Sequence, residues 1–347
     1  MRILHCVSSL QVGGAEKCVK NLVIAQQRSG LDVAILSFGD KKDAFQKDLE
    51  DLGISVINLS GNVISRTFFL LKVISKFTTL HVHSPAVIRA FTLIFPFLLI
   101  KNVVYTIHGE VEPPVSFIKQ SHWLAMLYLN KAFGVSGKIK SGISQRYAWA
   151  TSSIEVIENG VPIPSEPVKI GERDSLQLCA VCRLVPLKNL AHLLEAFKYH
   201  ECYQYASLHI YGDGPEMETL QQLTTSLSLD NVVRFHGAIL DEDEIYHDKD
   251  ALLINSTTEG LPMSLLEAMA RGIPAFSSDV GEIPNVITNG KNGVIYSLSD
   301  MLTWSTQLQA ANTDRKQLKA MGAGARRFMQ DHYSIERVSA IYEKSYQ

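Results

Sequence analysis

Glu259 and Glu267 stand eight positions apart in TTEGLPMSLLEAMARGIPA, and their neighbours give them different structural settings. Glu259 precedes Gly260 and Pro262, which are loop formers, whereas Glu267 falls inside LLEAMA, a run of strong helix formers. A proline at the start and a glycine past the end bracket a helix over roughly 262–271. A helix start attracts anions, so two further carboxylates beside one suggest a ligand that also carries hydroxyls. At a rise of about 1.5 Å per residue the pair is separated by roughly 12 Å at most. Carboxylates that share one glycosidic bond stand about 5–9.5 Å apart. The longer reach matches a sugar–diphosphate–ribose unit, with hydroxyls on either side of the phosphates.

Cations for those phosphates occur in CRLVPLKNLAHLLEAF, where Arg183 and Lys188 fall between a strand-like run and a helical one. Arg offers a planar fork and Lys a point charge to a phosphate; two solvated surface cations are the plainer alternative. Gly13 and Gly14 in SSLQVGGAEK let a backbone approach a ligand where a helix begins. The third glycine of a dinucleotide fingerprint is missing, and a tight turn explains the pair as well. Gly212 and Gly214 flank Asp213 in YGDGPE after another strand, and His236 lies in the RFHG turn. Each is either a ligand-side turn or only a turn. His83 and His108 end the runs LHVH and VVYTIHG, and His108, followed by Gly109, is the better placed for a polar contact.

These residues need sheets to hold them, and the chain supplies two sets. Strand-like runs alternate with helical stretches, the pattern of parallel α/β layering. The first half gives RILHCVSS, DVAILSF, ISVINL, TLHVHS, VVYTIHG and AFGVS; the second gives LQLCAVCRL, SLHIYG, VVRFHG, ALLINS, PAFSS and GVIYS. Between them NGVPIPSEPVKIGERDS, with three prolines close together, reads as a linker. The expected architecture is therefore α/β with two doubly wound domains and a cleft at the C-terminal edges of their sheets, where such folds bind ligands. A last helix lies in IERVSAIYEKSYQ.

A length of 347 residues, 46% apolar and 20% charged, suits two globular cores. Residues 1–165 carry a net +6 and the remainder a net −8. The basic first half suggests an anionic partner such as a membrane surface, not a nucleic acid. FFLLKVISKF, with Lys72 and Lys76 among large apolar residues, reads as a solvated helix or as one lying against anionic lipid. FTLIFPFLLI is too short to span a bilayer and reads as a buried helix. The opening MRILHCVSSL lacks the layout of a signal peptide. Five scattered cysteines, with Cys179 and Cys182 inside a strand-like run, suggest reduced core thiols and hence a cytoplasmic protein.

Taken in order, GGAEK, HVHSP, TIHG, GVS, VIENGVP, RLVPLKN, IYGDGPE, VRFHGA and EGLPMSLLEAMARGIP give a sequence that resembles the retaining glycosyltransferases of family 4, also called glycosyl transferases group 1. SSDVGEIPNVI follows, like that family's Gly-Gly-hydrophobic-Pro-Glu turn but in the order Gly281-Glu282-Ile283-Pro284. The resemblance implies a GT-B fold of two Rossmann-like domains facing each other: 1–165 for the acceptor, 166–328 for the nucleotide sugar, and 329–347 a helix packing back on the first. It implies transfer from a nucleotide diphosphate sugar, a UDP-sugar first, with retention of configuration and without metal or other cofactor. By the same resemblance Glu259 holds sugar hydroxyls and Glu267 the ribose, while Arg183 and Lys188 neutralise the diphosphate. Gly14 lets its loop close on the ligand, with Gly13 beside it, and His108 meets the reacting sugar. Backbone around Leu261, Pro262 and Met263 surrounds sugar and phosphate, and the base lies near His236 to Ile239. The implied acceptor is a glycan or lipid-linked glycan of a cell-surface polysaccharide, met at the cytosolic membrane face, with specificity in the loop 109–123. Other readings are a nucleotide-sugar epimerase of similar fold, a non-catalytic nucleotide-sugar-binding partner and, last, an NAD-dependent oxidoreductase.

Overall fold

A computed structural model describes residues 1–109, 117–147, 149–171 and 173–347. Of the loop 109–123 expected to set acceptor specificity, residues 110–116 lie outside the described residues, and its last part opens helix Ile118–Ala125. The chain divides into two compact units, one of Met1–Gly160 with Ile335–Gln347 and one of Val161–Ser334.

The first unit holds seven strands: β1 (Arg2–Val7), β2 (Asp32–Ser37), β3 (Ser55–Asn58), β4 (Thr79–Val82), β5 (Asn102–Ile107), β6 (Lys131–Gly134) and β7 (Ile154–Val156). All pair in parallel, in the order β3-β2-β1-β4-β5-β6-β7. Six of these strands coincide with the runs read from the sequence; β7, only three residues long, was too short to stand out. Parallel strands are covered on both faces, so they read as nearly continuous apolar runs. In β1, Leu4 and Cys6 join one core while Ile3 and Val7 join the other. Helix Gly14–Arg28 and the last helix, Ile335–Ser345, cover that second face, the latter through Ile335, Val338 and Tyr342, with Tyr346 just past its end.

In the second unit lie β8 (Leu176–Val181), β9 (Ala206–Tyr211), β10 (Val233–Gly237), β11 (Ala251–Ile254), β12 (Ala275–Ser278) and β13 (Gly293–Tyr296). They too are parallel, in the order β10-β9-β8-β11-β12-β13. Both sheets are thus doubly wound about a first central strand. Strand order reverses between β1 and β4 in one and between β8 and β11 in the other. A crevice opens at the carboxyl ends of strands at such a reversal, because the loops on its two sides run apart.

One expectation is corrected. FTLIFPFLLI is not a single buried helix: helix Pro85–Phe91 gives way to a 3-10 turn, Thr92–Ile94, and a short helix, Phe95–Leu98. Pro96 has no N–H and its ring meets the carbonyl of the preceding turn, so the helix cannot run through. Leu93, Phe97, Leu99 and Ile100 are left exposed. The cysteines behave as expected: all five are free, and burial pushes the Cys179 and Cys182 thiols up to about 12. Among the described residues no helix is long and apolar enough to cross a membrane.

Candidate active site

In the second unit the strand reversal between β8 and β11 gathers the charged residues singled out above. The loop after β8 carries Arg183, then the 3-10 turn Pro186–Lys188; the loop after β11 carries Glu259. Thr257 donates its N–H to Leu187 O at 2.9 Å, which ties the two loops edge to edge. Lys188 and Glu259 are brought together as a result: Nζ lies 2.6 Å from Oε1, and the Glu259 side chain is 9% exposed. Ser256 Oγ donates to the same oxygen at 2.6 Å. A half-buried Lys is thus matched by a carboxylate with a second donor on it, the satisfied arrangement that a low-dielectric site requires.

Glycines hold these loops in place by leaving no side chain in the way. A Cβ on Gly212, at φ +132°, would fall 1.8 Å from Cys182 O, and one on Gly214 would fall 2.3 Å from Leu184 O. Leu184 N–H donates to Asp213 O in return. So the YGDGPE turn clamps the segment bearing Arg183, whose own side chain is exposed. Gly281 does the same for Glu259: at φ +62° its Cβ would meet Glu259 O at 2.2 Å, and Glu282 N–H donates to Gly260 O at 3.0 Å. Here the Gly281-Glu282-Ile283-Pro284 order finds its use, as backing for the Glu259 loop.

Beside this cluster helix Met263–Ala270 begins with Pro262 at its N-cap, and Pro262 O accepts from Leu265 N–H at 3.1 Å. Leu261 and Met263 are half-buried against the core on that side of the sheet, as is Ile239. Glu267 is only 2% exposed, and its Oε2 accepts from Tyr246 Oη at 3.3 Å. Tyr246 in turn lies under the Arg271 guanidinium, 5.4 Å from the ring centroid, and Arg271 pairs with Glu242 at 2.8 Å. His236, on the outer strand β10, lies in another group: Nε2 is 2.9 Å from His209 Nδ1, and its ring stacks on Tyr211 at 4.4 Å. Burial, with Lys249 adding, lowers His209 to about 4. Tyr211, His209, Lys249, Tyr246, Arg271 and Ser256 went unnoticed in the sequence. Only Ser256, three residues before Glu259 at a strand end, gave a usable signal.

In the first unit Gly13 is the extended N-cap of the helix that begins at Gly14, beyond the carboxyl end of β1. His108 follows β5, and it is joined to buried histidines on its neighbours. His83 Nδ1 is 3.1 Å from His108 Nε2, and His83 Nε2 is 3.0 Å from His5 Nδ1. Desolvation lowers His5 and His108 to about 4 and holds His81 and His83 well below their ordinary value. His5, His81 and His83 stand close enough to share a metal ion, but each of their ring nitrogens already has a protein hydrogen-bond partner. His81 and His83 alternate in HVH, which on a strand points both to one face; that was the available signal.

Two Rossmann-like units with a charged site at a strand reversal define a GT-B protein. HepE of Anabaena, solved in complexes with UDP and with UDP-glucose, superposes with TM-scores of 0.84 and 0.82 at 19% identity, 99% of both chains being covered. Residues 12–163 match the family described as Glycosyltransferase Family 4, and residues 164–328 match Glycosyl transferases group 1. The chain belongs to this glycosyltransferase family. It is 25% identical to the lipopolysaccharide core biosynthesis glycosyltransferase LpsD of Rhizobium meliloti, over 99% of this chain and 97% of that one. It is 31% identical over 160 residues to the N-acetyl-alpha-D-glucosaminyl L-malate synthase of Bacillus anthracis, a match covering 46% of this chain and 42% of that protein.

Proposed function

We propose that the protein transfers a sugar, with retention, from a UDP-sugar to a glycan or lipid-linked acceptor in cell-surface polysaccharide or lipopolysaccharide assembly. The observation that carries the donor half is the Lys188–Glu259–Ser256 cluster at the β8/β11 reversal, beside a helix start. Supporting it, HepE binds UDP-glucose and LpsD acts in lipopolysaccharide core biosynthesis. Arg183, Lys188 and the N–H groups after Pro262 take the diphosphate. Glu259 takes sugar hydroxyls, Glu267 the ribose, and the segment His236–Ile239 the base. In the first unit Gly13, Gly14 and His108 meet phosphate and sugar. The reaction breaks the bond between the anomeric carbon and the phosphate oxygen and forms one from that carbon to the acceptor oxygen. The acceptor's proton passes to the leaving phosphate on the same face. Fixed cations and helix N–H groups stabilise the charge that grows on that phosphate, so no metal is required.

Thermal stabilisation by a panel of nucleotide diphosphate sugars tests the donor. A ligand at a hundred times its Kd stabilises by about 2.7 kcal/mol. One donor should shift the wild type, and Arg183→Ala and Glu259→Ala should abolish the shift. If no donor does so, or the substitutions change nothing, the assignment fails. Release of nucleotide with a rearranged sugar and no acceptor product would favour an epimerase.

The membrane side of the proposal rests on helix Val63–Ile74. Val63, Ile64, Phe68 and Phe69 are exposed there, among exposed Arg66 and Lys72. This helix touches the turn Thr92–Ile94, which adds exposed Leu93. An apolar surface edged by cations suits an anionic leaflet. Vesicles containing anionic lipid should sediment the protein, and the Ile64→Asp, Phe68→Asp double variant should stay in solution. Equal sedimentation of both would dispose of this surface.

A further inference from the structure

The buried histidines of the first unit belong to one continuous chain of hydrogen bonds. Its first arm runs from His108 to His83, His5 and Gln26, with His5 Nε2 2.8 Å from Gln26 Oε1. Its second arm leaves Gln26 Nε2 for Tyr346 Oη at 3.1 Å, and continues to His81 Nδ1 at 2.7 Å. From there it passes to Thr106 Oγ1 at 2.8 Å and ends on Tyr342 Oη at 3.1 Å. Both ends, His108 and Tyr342, line one small cavity of about 10 Å³.

A neutral imidazole has one N–H and one lone pair, so fixing the role of one nitrogen fixes the other. Gln26 presents its carbonyl oxygen to His5, which makes His5 Nε2 a donor and Nδ1 an acceptor. His83 must then donate through Nε2 and accept at Nδ1, and His108 must donate through Nε2. His108 Nδ1 is left as a bare lone pair, and that atom is buried with no partner among the described residues. The second arm is consistent with this direction. Gln26 donates to Tyr346, Tyr346 to His81 Nδ1, His81 Nε2 to Thr106, and Thr106 to Tyr342. Reversing the chain would place an N–H on His108 Nδ1. A buried N–H without a partner is rarer and costlier than a vacant acceptor.

We infer that Gln26, His5 and His83 are positioning residues that lock His108 in the Nε2–H tautomer, so that Nδ1 accepts a hydrogen from a hydroxyl of the bound sugar. The sugar half of this statement rests on the proposed function; the tautomer half does not. The sugar must accordingly offer a hydroxyl as donor to His108, and a deoxy or methylated donor at that position would leave the lone pair unmet.

The test uses the full chain with ¹⁵N-imidazole histidine and long-range proton–nitrogen correlation, with His108→Gln assigning the resonance. The expected spectrum shows His108 protonated at Nε2 and bare at Nδ1; the reverse overturns the relay. Gln26→Glu keeps an acceptor for His5 and should preserve that spectrum. Gln26→Leu removes the acceptor and should turn His108 into a mixture of tautomers. If the two variants behave alike, Gln26 does not set the direction. Adding UDP-glucose should shift His108 Nδ1, while UDP should leave it in place. An equal response to both removes the sugar contact. If neither nucleotide binds, the donor assignment is what fails, and the spectrum of the free protein still decides the tautomer.

Discussion

At the scale of single residues, the second unit relies on atoms that are missing as much as on atoms that are present. Gly281 is the sharpest case, since a methyl there would overlap Glu259 O at 2.2 Å and sit at a φ of +62°. Gly281→Ala should cost on the order of 1–3 kcal/mol of stability, read as a lower midpoint in urea, and should also shrink the donor-induced melting shift. A normal shift in a destabilised variant would mean that the turn supports the fold without supporting Glu259. Ser256→Ala is milder: it removes one donor to the Glu259 carboxylate. Calorimetric donor binding should weaken by about 0.5–1.5 kcal/mol, with little change in melting temperature.

At the scale of elements, strand ends were legible because parallel strands are apolar on both faces and the loops after them are rich in Gly, Pro and charge. Arg183, Lys188 and Glu259, which all follow strand ends, stand out in the sequence together for that reason. The Lys188–Glu259 contact was not legible, because 71 residues separate the partners and only the sheet order makes them neighbours. The histidine relay escaped for the same reason: it links β1, β4, the ends of β4 and β5, and two helices distant in the chain. Its elements carry a prediction of their own. His5 and His108 titrate near 4 in the folded protein against an ordinary value of 6.5. The native state therefore binds fewer protons than the unfolded chain between those values. Stability is whole above about pH 6.5 and falls as pH drops towards 4. Melting scans should show this decline, and His5→Gln should flatten it. A melting temperature level across that window would contradict the buried, neutral relay.

At the scale of the whole molecule, the chain leaves the first unit at Gly160 and re-enters it at Ile335. Tyr342 and Tyr346 are each 4% exposed within the core that this return completes. Deleting residues 335–347 should strip one sheet face of the first unit, so amide exchange should rise across β1 and β4. Strands β8 and β11, which belong to the other unit, should keep their protection. A uniform rise across both sheets would mean that the units do not unfold separately. The double crossing also bears on how the protein is made. Domains generally fold as units while the chain emerges, the N-terminal one first. Here the second unit has all its residues by Ser334, whereas the first, though begun earlier, waits for helix Ile335–Ser345. On the ribosome, the part of the protein synthesised first is therefore the last to be finished.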